Sequence, residues 1–482
     1  MSALQEYPFL ETIAAMARRR GQDVFLVGGF LRDILLERPT RDMDFAVSSG
    51  ALAFARDFSR KIKGAYVLLD EDHGCARVVK KTGSGEAWTY DFAEFRGETI
   101  QQDLLRRDFG LNTLTVYVNG LAGGGGLLPH IQDHRCGRRD IRAERIRMVS
   151  PRAFREDPLR LLRAFSLSAM LGFKIETKTR QRIKTDRDLI RETAAERVRD
   201  ELFKIFSSPR AAQTLRAMHR CGLVERVIPQ VRVMFGLKQG GYHHLDVWRH
   251  SLESVAQLDC LFKKAEHPDL VRYLRVRIAG NRERAALIKF AALLHDVGKP
   301  EVYRKEGARS IFHAHEHAGR RIASIVCRQL KLSEKERRKV CLMVDLHLRP
   351  GYLSNFKRPT ERAFFRFMRD AGEEAIAVAF LSMADQSATR GPLSPAEAER
   401  HHHDICREII ERYLRKQKEE PQLPLLTGRD LIHTLKLKPG PVFSKILERV
   451  EEARTTGEIR TRQQALDLAR KILRTDKQKG CR

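Results

Sequence analysis

Between Val24 and about residue 120, short apolar runs alternate with glycine turns and one helix. VFLVGG, DMDFAV, AYVLLDE, WTYDFAEF and LNTLTVYV each have the length and the two-residue alternation of a strand. The pattern predicts a small mixed sheet with helices, an α+β domain. GLAGGGGLLP reads as a flexible glycine-rich connection, because no GK[ST] follows to make it a phosphate loop. After Pro151 the apolar positions shift to helical spacing, through DPLRLLRAFSLSAMLGF, ERVRDELFKIFSS and AAQTLRAMHRCGLVERVIP. From there almost everything reads as helix. Breaks are expected at GLKQGGYHH, at HPDLVRYLRVRIAGNRER and at the proline- and charge-rich linker RKQKEEPQLPLLTG. The last segment opens with Thr427 as a helix cap and carries a Pro-Gly-Pro turn.

A chain of 482 residues is too long for one hydrophobic core. The texture divides it at 1–150, 151–240, 241–400 and 401–482. Lys and Arg number 90 against 62 Asp and Glu, a formal charge of +28, which points to a polyanion held through its phosphates. The eight cysteines form no CxxC pair and read as reduced thiols of a cytoplasmic protein. The first residues lack the apolar core of a secretory signal, and no run reaches the roughly 18 apolar residues of a membrane span.

The sharpest local feature is LVGGFLRD followed by RDMDFAV. Gly28 and Gly29 end a strand and let backbone amides approach phosphate oxygens at the start of a helix, whose first turn carries Arg32 and Asp33. Asp42 and Asp44 occupy alternate strand positions, so both carboxylates share one face while Met43 points to the opposite layer. Two carboxylates so placed repel unless a cation lies between them, and Mg²⁺ is the oxygen-seeking choice. Asp91, in TYDFAEF, could add a third catalytic carboxylate from a neighbouring strand.

These motifs resemble the head of the class II tRNA nucleotidyltransferase and bacterial poly(A) polymerase family, a branch of the DNA polymerase beta superfamily. Further motifs follow in the family's order. RRDFGLNTL is similar to its ribose- and phosphate-handling element, with Arg107, Asp108 and Asn112 at the key positions. IQDHRCGRRDI resembles the hinge, with Asp133 and Gly137 in place but His-Arg-Cys between them where DPxGG is usual. REDPLRLLRAF supplies Asp157 and Arg160, which the resemblance implies select CTP or ATP by their base edges; i,i+3 spacing would put both on one helix face. Arg163 completes the implied nucleotide-binding set, and AAERVRDELFKIF brings Glu196 and Arg197. The implied architecture is an α+β nucleotidyltransferase head (1–150), a helical neck (151–240), an HD domain (241–400) and a helical RNA-binding end (401–482).

The third domain carries a second resemblance. His250, the adjacent His295 and Asp296 of LLHDVGKP, and Asp385 resemble the H…HD…D order of the HD phosphohydrolases. His315 and His347 stand where members with two metals carry further ligands, but Leu346 replaces a second histidine, so a second site is expected to be weak or absent. The resemblance implies a divalent ion here, with Mg²⁺, Ni²⁺ and Mn²⁺ open, and hydrolysis of phosphate on RNA ends.

The implied reaction is template-independent, two-metal nucleotidyl transfer to an RNA 3′ end, with tRNA, CTP and ATP as partners and no membrane. The short connection FAEFRGETIQQDLLRRDF between Asp91 and Asp108 resembles CC-adding members, which lack the longer loop of full CCA-adding ones. Poly(A) synthesis is the second expectation. A metal phosphohydrolase with an inactive, RNA-binding head is the third. Oligomeric state is left open.

Overall fold

The computed structural model describes residues 7–82, 85–121, 126–240, 244–307, 309–389, 395–419 and 423–479. Residues 122–125 of the glycine-rich connection, 241–243 of the first helical break, 420–422 of the linker and Cys481 lie outside them. The chain forms two compact units: Met1–Arg210 with Thr214–Val227, and Ala211–Gln213 with Ile228–Arg482.

The first unit is built on one sheet. Its strands are β1 (Val24–Val27), β2 (Asp42–Val47), β3 (Ala65–Asp70), β4 (Cys75–Lys81), β5 (Ala87–Glu94), β6 (Leu114–Tyr117) and β7 (Gln132–Asp133), in the order β3-β4-β5-β2-β1-β6-β7. β2 and β5 run parallel and every other neighbouring pair is antiparallel, so the sheet is mixed as expected. Helix Ala51–Ile62 covers one face, where Phe54 and Phe58 pack on Phe92 and Tyr90 and Phe45 stacks on Phe92. On the other face Val27 and Ala46 meet Ile100 and Leu104 of helix Ile100–Leu105. The alternation of β2 thus puts Met43 and Phe45 under one layer and leaves Asp42 and Asp44 on the face that this short helix only partly covers. Helices Arg160–Leu171 and Ala195–Ser207 then pack on each other.

The second unit is helical around Ala375–Ala388, whose apolar residues face all directions and are nearly all buried. Two ribbons interrupt it, Arg277–Ala279 with Arg282–Glu283 and Arg304–Glu306 with Arg309–Ile311. HPDLVRYLRVRIAGNRER therefore holds more order than a break: helix Pro268–Arg275, then the first ribbon turning at Gly280 with φ +53°. Toward the C-terminus, helices Gly428–His433, Pro441–Thr455 and Arg462–Lys479 enclose Leu431, Ile446, Val450 and Ala469. Thr427 caps the first of these reciprocally with Asp430, and Pro441 opens the second at the position where a missing N–H costs nothing. Among the described residues no helix is long and apolar enough to cross a membrane.

Candidate active site and metal centre

In the first unit a cleft of about 280 Å³ opens on the uncovered face of the sheet. Gly28, Gly29, Asp44, Asp91, Arg107, Asp108, Asn112, Asp157, Arg160 and Arg163 all line it. Gly28 adopts φ +82°, and a Cβ there would sit 3.2 Å from Asp44 Oδ2 and 3.6 Å from an Nη of Arg107. Only glycine lets the main chain come so near the carboxylate. Burial, then the Asp91 carboxylate beside it, raise the Asp44 pKa to about 6. A buried carboxylate set against a second one fits the expected divalent ion. Asp42 is exposed at the start of β2.

Asp91 is the direct cross-strand partner of Asp44, but its two oxygens accept hydrogen bonds from Arg77 Nε at 2.8 Å and Nη at 2.7 Å. The expected third carboxylate is thus beside the pair and already engaged. Arg77 lies on β4, a strand not foreseen, although the alternation Ala76 and Val78 buried, Arg77 turned outward, was there to be read in CARVVKK.

A network ties the remaining groups. Asp108 accepts from Asn112 Nδ2 at 3.0 Å, from the Phe109 amide at 2.7 Å and from Arg163 Nε at 2.8 Å. Burial favours its neutral form, but Arg163 and these hydrogen bonds outweigh it and hold Asp108 below the usual carboxylate range. Arg107 is steered by Asp103, which accepts its Nε at 2.9 Å. Arg32 and Asp33 stand behind the cleft: Arg32 is buried, grips Asp33, and donates to Asn112 Oδ1 at 2.8 Å.

The expected base-reading pair is arranged differently from the i,i+3 picture. Asp157 is not helical; its φ of −148° and ψ of 100° are extended, and the helix begins only at Arg160. Pro158 is the reason, because it disfavours helical geometry in the residue before it. Asp157 accepts from Arg197 at 2.9 Å, while Arg160 is buried and donates to the carbonyls of Arg106, Arg107 and Ala153. Asp133 takes the amides of Gly137 and Arg138 at 2.7 and 3.0 Å, capping helix Gly137–Arg142. Cys136, where the hinge pattern has glycine, adopts φ +59°.

The second unit brings all six expected HD residues together. His250 lies on helix Val247–Lys264, His295 and Asp296 follow helix Arg284–Leu294, His315 opens His315–Gln329, His347 follows Glu334–Leu346, and Asp385 is on Ala375–Ala388. His250 Nε2 is 2.8 Å from Asp385 Oδ1, His295 Nε2 is 3.3 Å from Asp296 Oδ2, and His315 Nε2 is 3.4 Å from His347 Nε2. Two groups share His295: His250, His295 and Asp385, and His295, Asp296 and His347. The second group offers three side chains, with Leu346 adding none.

The Nδ1 atoms of His295, His315 and His347 lie 2.8, 2.9 and 2.7 Å from the carbonyls of Ala292, Phe312 and Val344. Each Nδ1–H donates there, which leaves the Nε2 lone pair turned to the cluster, the tautomer a metal ligand needs. Burial works against a charged His295, but Asp296 and Asp385 overcome it and push the imidazole up to about 10; burial, with His295 and His315 beside it, drives His347 down to about 3. A cation bound at His295 Nε2 would take the place of that proton, so the positive charge that Asp296 and Asp385 attract would be carried by the metal. Lys299, not singled out from the sequence, donates to Asp296 at 2.7 Å and to Gln239 at 2.6 Å. Gly298 packs against the backbone of His315 and Gly319 so closely that a side chain has no room.

Fold and clusters together define the class: a nucleotidyltransferase head in a chain that also carries an HD centre. Residues 24–147 match the poly A polymerase head domain, 172–234 the probable RNA and SrmB-binding site of polymerase A, and 247–470 the HD domain. The A-adding tRNA nucleotidyltransferase of Deinococcus radiodurans is 33% identical over 449 residues, covering 91% of this chain and 93% of that protein. The CC-adding tRNA nucleotidyltransferase of Thermus thermophilus is 32% identical over 453 residues, 92% of each chain. The fold is that of a CCA-adding enzyme solved with ATP, at TM-score 0.64 and 20% identity over 96% of this chain and 94% of that one. This chain belongs to the tRNA nucleotidyltransferase family and is an RNA 3′-end nucleotidyltransferase. Both its head and its HD domain are of kinds that use divalent metals.

Proposed function

We propose that this enzyme adds the two cytidines of the CCA end to tRNA, in the cytoplasm, from CTP. The free state of every described cysteine agrees with that compartment. The observation that carries the transfer chemistry is Asp44, held at the cleft floor against Gly28 and beside Asp91. Mg²⁺ held by Asp42 and Asp44 would supply activation of the RNA 3′-hydroxyl and neutralisation of the departing pyrophosphate. Arg107 faces the phosphates, and Asp108, kept anionic by Arg163, accepts from the ribose hydroxyl that distinguishes CTP from its deoxy form. Asp157, fixed by Arg197, accepts from the exocyclic amino group of the base, with Arg160 in the adjoining wall.

Preference for CC addition rests on the connection after β5. Only residues 95–99 separate Glu94 from helix Ile100–Leu105, with no room for a loop that could switch the pocket to ATP. Overall identity does not decide, since an A-adding and a CC-adding relative stand at 33% and 32%. The test offers CTP and ATP separately to tRNA transcripts ending before the first C, after the second C, and to unrelated RNA. Two cytidines added to the shortest tRNA, with no ATP use, is the expected result. A terminal adenosine on the CC-ended tRNA reverses the specificity, and a long tail on any RNA replaces the reading with poly(A) synthesis.

The HD centre favours a second activity. Six ligand-type side chains converge there with three imidazoles in the metal-binding tautomer. We propose that it hydrolyses terminal phosphate on RNA, water adding across the P–O bond to leave a 3′-hydroxyl and inorganic phosphate, so that a blocked end becomes extendable. His295→Ala should abolish phosphate release from 3′-phosphorylated RNA while CTP incorporation on 3′-hydroxyl tRNA continues. Unchanged release in that variant would overturn it.

A further inference from the structure

Of the six residues in the HD centre, five are essentially closed off, with side chains 0 to 8% exposed where measured in their pairs, whereas Asp385 is 20% exposed. The centre therefore opens to solvent on the Asp385 side. A cavity of about 980 Å³ is lined by Gln386, the residue after Asp385, although none of the six centre residues lines it. Its wall includes Leu348, next to His347, and Gln386, next to Asp385, and its floor includes His402, whose imidazole feels the Asp385 charge. Tyr352, on the same wall, feels the charge of Glu316, the neighbour of His315. Two chain segments, His347–Leu348 and Asp385–Gln386, thus run from the centre to the wall of this cavity.

Its lining is unusual for a site that takes only inorganic phosphate. Tyr352 is 51% exposed although it is a large ring at a cavity wall. Lys357 and Arg358 are exposed beside it, and among the described residues neither enters an ion pair. The contrast with the arginine-rich groove between helices His315–Gln329 and Glu334–Leu346 is informative. There Arg320 is held by Asp345, and Arg337 and Arg338 by Glu334. Cations already matched to carboxylates have little left for a phosphate; Lys357 and Arg358 are not so matched, and the one carboxylate among the described lining residues, Glu397, forms no ion pair with either. An exposed ring for a base and two unmatched cations for a second phosphate, set next to a phosphate-cleaving centre, are the complement of a nucleotide.

We propose that this cavity seats the terminal nucleotide of an RNA substrate of the HD centre, with its base against Tyr352 and the phosphodiester on its 5′ side at Lys357 and Arg358. The inference rests on the hydrolytic reading of the HD centre and adds what that centre recognises: a nucleoside flanked by two phosphates rather than a bare phosphomonoester.

The test uses the full chain with divalent metal, with CTP in excess to fill the head cleft. Cytidine 3′,5′-bisphosphate, cytidine 3′-monophosphate and p-nitrophenyl phosphate are compared in calorimetric binding and in phosphate release. The bisphosphate should bind the native protein roughly tenfold tighter than the monophosphate. A Lys357→Ala/Arg358→Ala variant should erase that difference. Tyr352→Ala should lower selectivity for either nucleotide over p-nitrophenyl phosphate by roughly tenfold, through KM rather than kcat. Thermal melting of each variant confirms the fold. Native hydrolysis of all three probes with no preference for nucleotides, or preference unaltered in both variants, overturns the cavity assignment and leaves the HD reading standing. Nucleotide binding that both variants lose, without any hydrolysis, supports the cavity and removes the hydrolytic reading. Neither binding nor hydrolysis by the native protein removes both.

Discussion

Asp44 and Asp91 stand directly opposite each other on the parallel strands β2 and β5, and Arg77 holds both oxygens of Asp91. The arrangement keeps a third negative charge next to the Asp42–Asp44 pair, where it still raises the Asp44 pKa, while Arg77 neutralises part of it. Arg77→Ala would release that charge toward the cleft. The Mg²⁺ concentration for half-maximal CTP incorporation should then fall several-fold, whereas Asp44→Ala should lower incorporation on the order of a thousandfold with RNA affinity nearly intact. A titration of Mg²⁺ against incorporation rate decides; an unchanged midpoint in Arg77→Ala would mean that Asp91 has no electrostatic share in the site.

On the proposed base-reading role of Asp157, base selection draws on its ion pair with Arg197. Asp157 closes helix Ala153–Glu156 with its Oδ1 accepting the Leu159 amide at 3.2 Å, and Arg197, far along the chain, donates to its Oδ2 at 2.9 Å. Arg197→Ala frees the carboxylate to rotate. Discrimination between CTP and ATP, read as the ratio of their kcat/KM values, should fall by about tenfold or more, since a polar group aimed at the base is what rejects the wrong one. Loss of rate with both nucleotides and an unaltered ratio would assign Arg197 to structure alone.

Much of this was legible in the residues themselves, for identifiable reasons. The alternation of DMDFAV is a local period-two pattern, so the shared face of Asp42 and Asp44 and the burial of Met43 follow without knowing any neighbour. The Gly28–Gly29 turn declares itself in the same way, and adjacent His295 and Asp296 in an apolar helix end mark a buried cluster. What escaped depends on partners far along the chain. Arg77 meets Asp91 only because β4 pairs with β5, and no local pattern names a strand's partner. Lys299 is drawn to Asp296 by a turn around Gly298, whose tightness appears only when helix His315–Gln329 packs on it. The extended Asp157 is the exception: Pro158 was visible, and helical spacing across it should have yielded to the proline.

Cys136 carries a backbone strain that a single substitution would relieve. Its φ of +59° lies in the left-handed region, where a Cβ costs roughly 1–2 kcal/mol, and its thiol is exposed. Cys136→Gly removes that strain and gives back part of it as freedom of the unfolded chain. The net effect expected is stabilisation by up to about 1 kcal/mol, seen as a raised denaturant midpoint of the unit that contains the sheet. A lowered midpoint would show that the thiol contributes more than its backbone costs.

Glu336 sets an acid limb to the stability of the second unit. It is fully buried, accepts from Arg282 through both oxygens, and closes a capping box with Ser333 at the start of helix Glu334–Leu346. Burial alone would raise its pKa, but the hydrogen bonds from Arg282 and Ser333 outweigh it and the pKa lies below 4.5. A carboxylate depressed in the folded state contributes stability that is complete above its unfolded pKa and drains away as pH falls through the folded one. At pH 7, Glu336→Gln leaves the Arg282 guanidinium, 14% exposed, without its counter-charge and should cost about 2–3 kcal/mol. As pH falls through the lowered pKa of Glu336 the native protein loses this pairing too, so the two should converge at the acid end. Chemical denaturation over a descending pH series from pH 7 follows the gap, and a gap that stays constant down to the acid unfolding of the native protein would show that the charge on Glu336 is not what the fold uses.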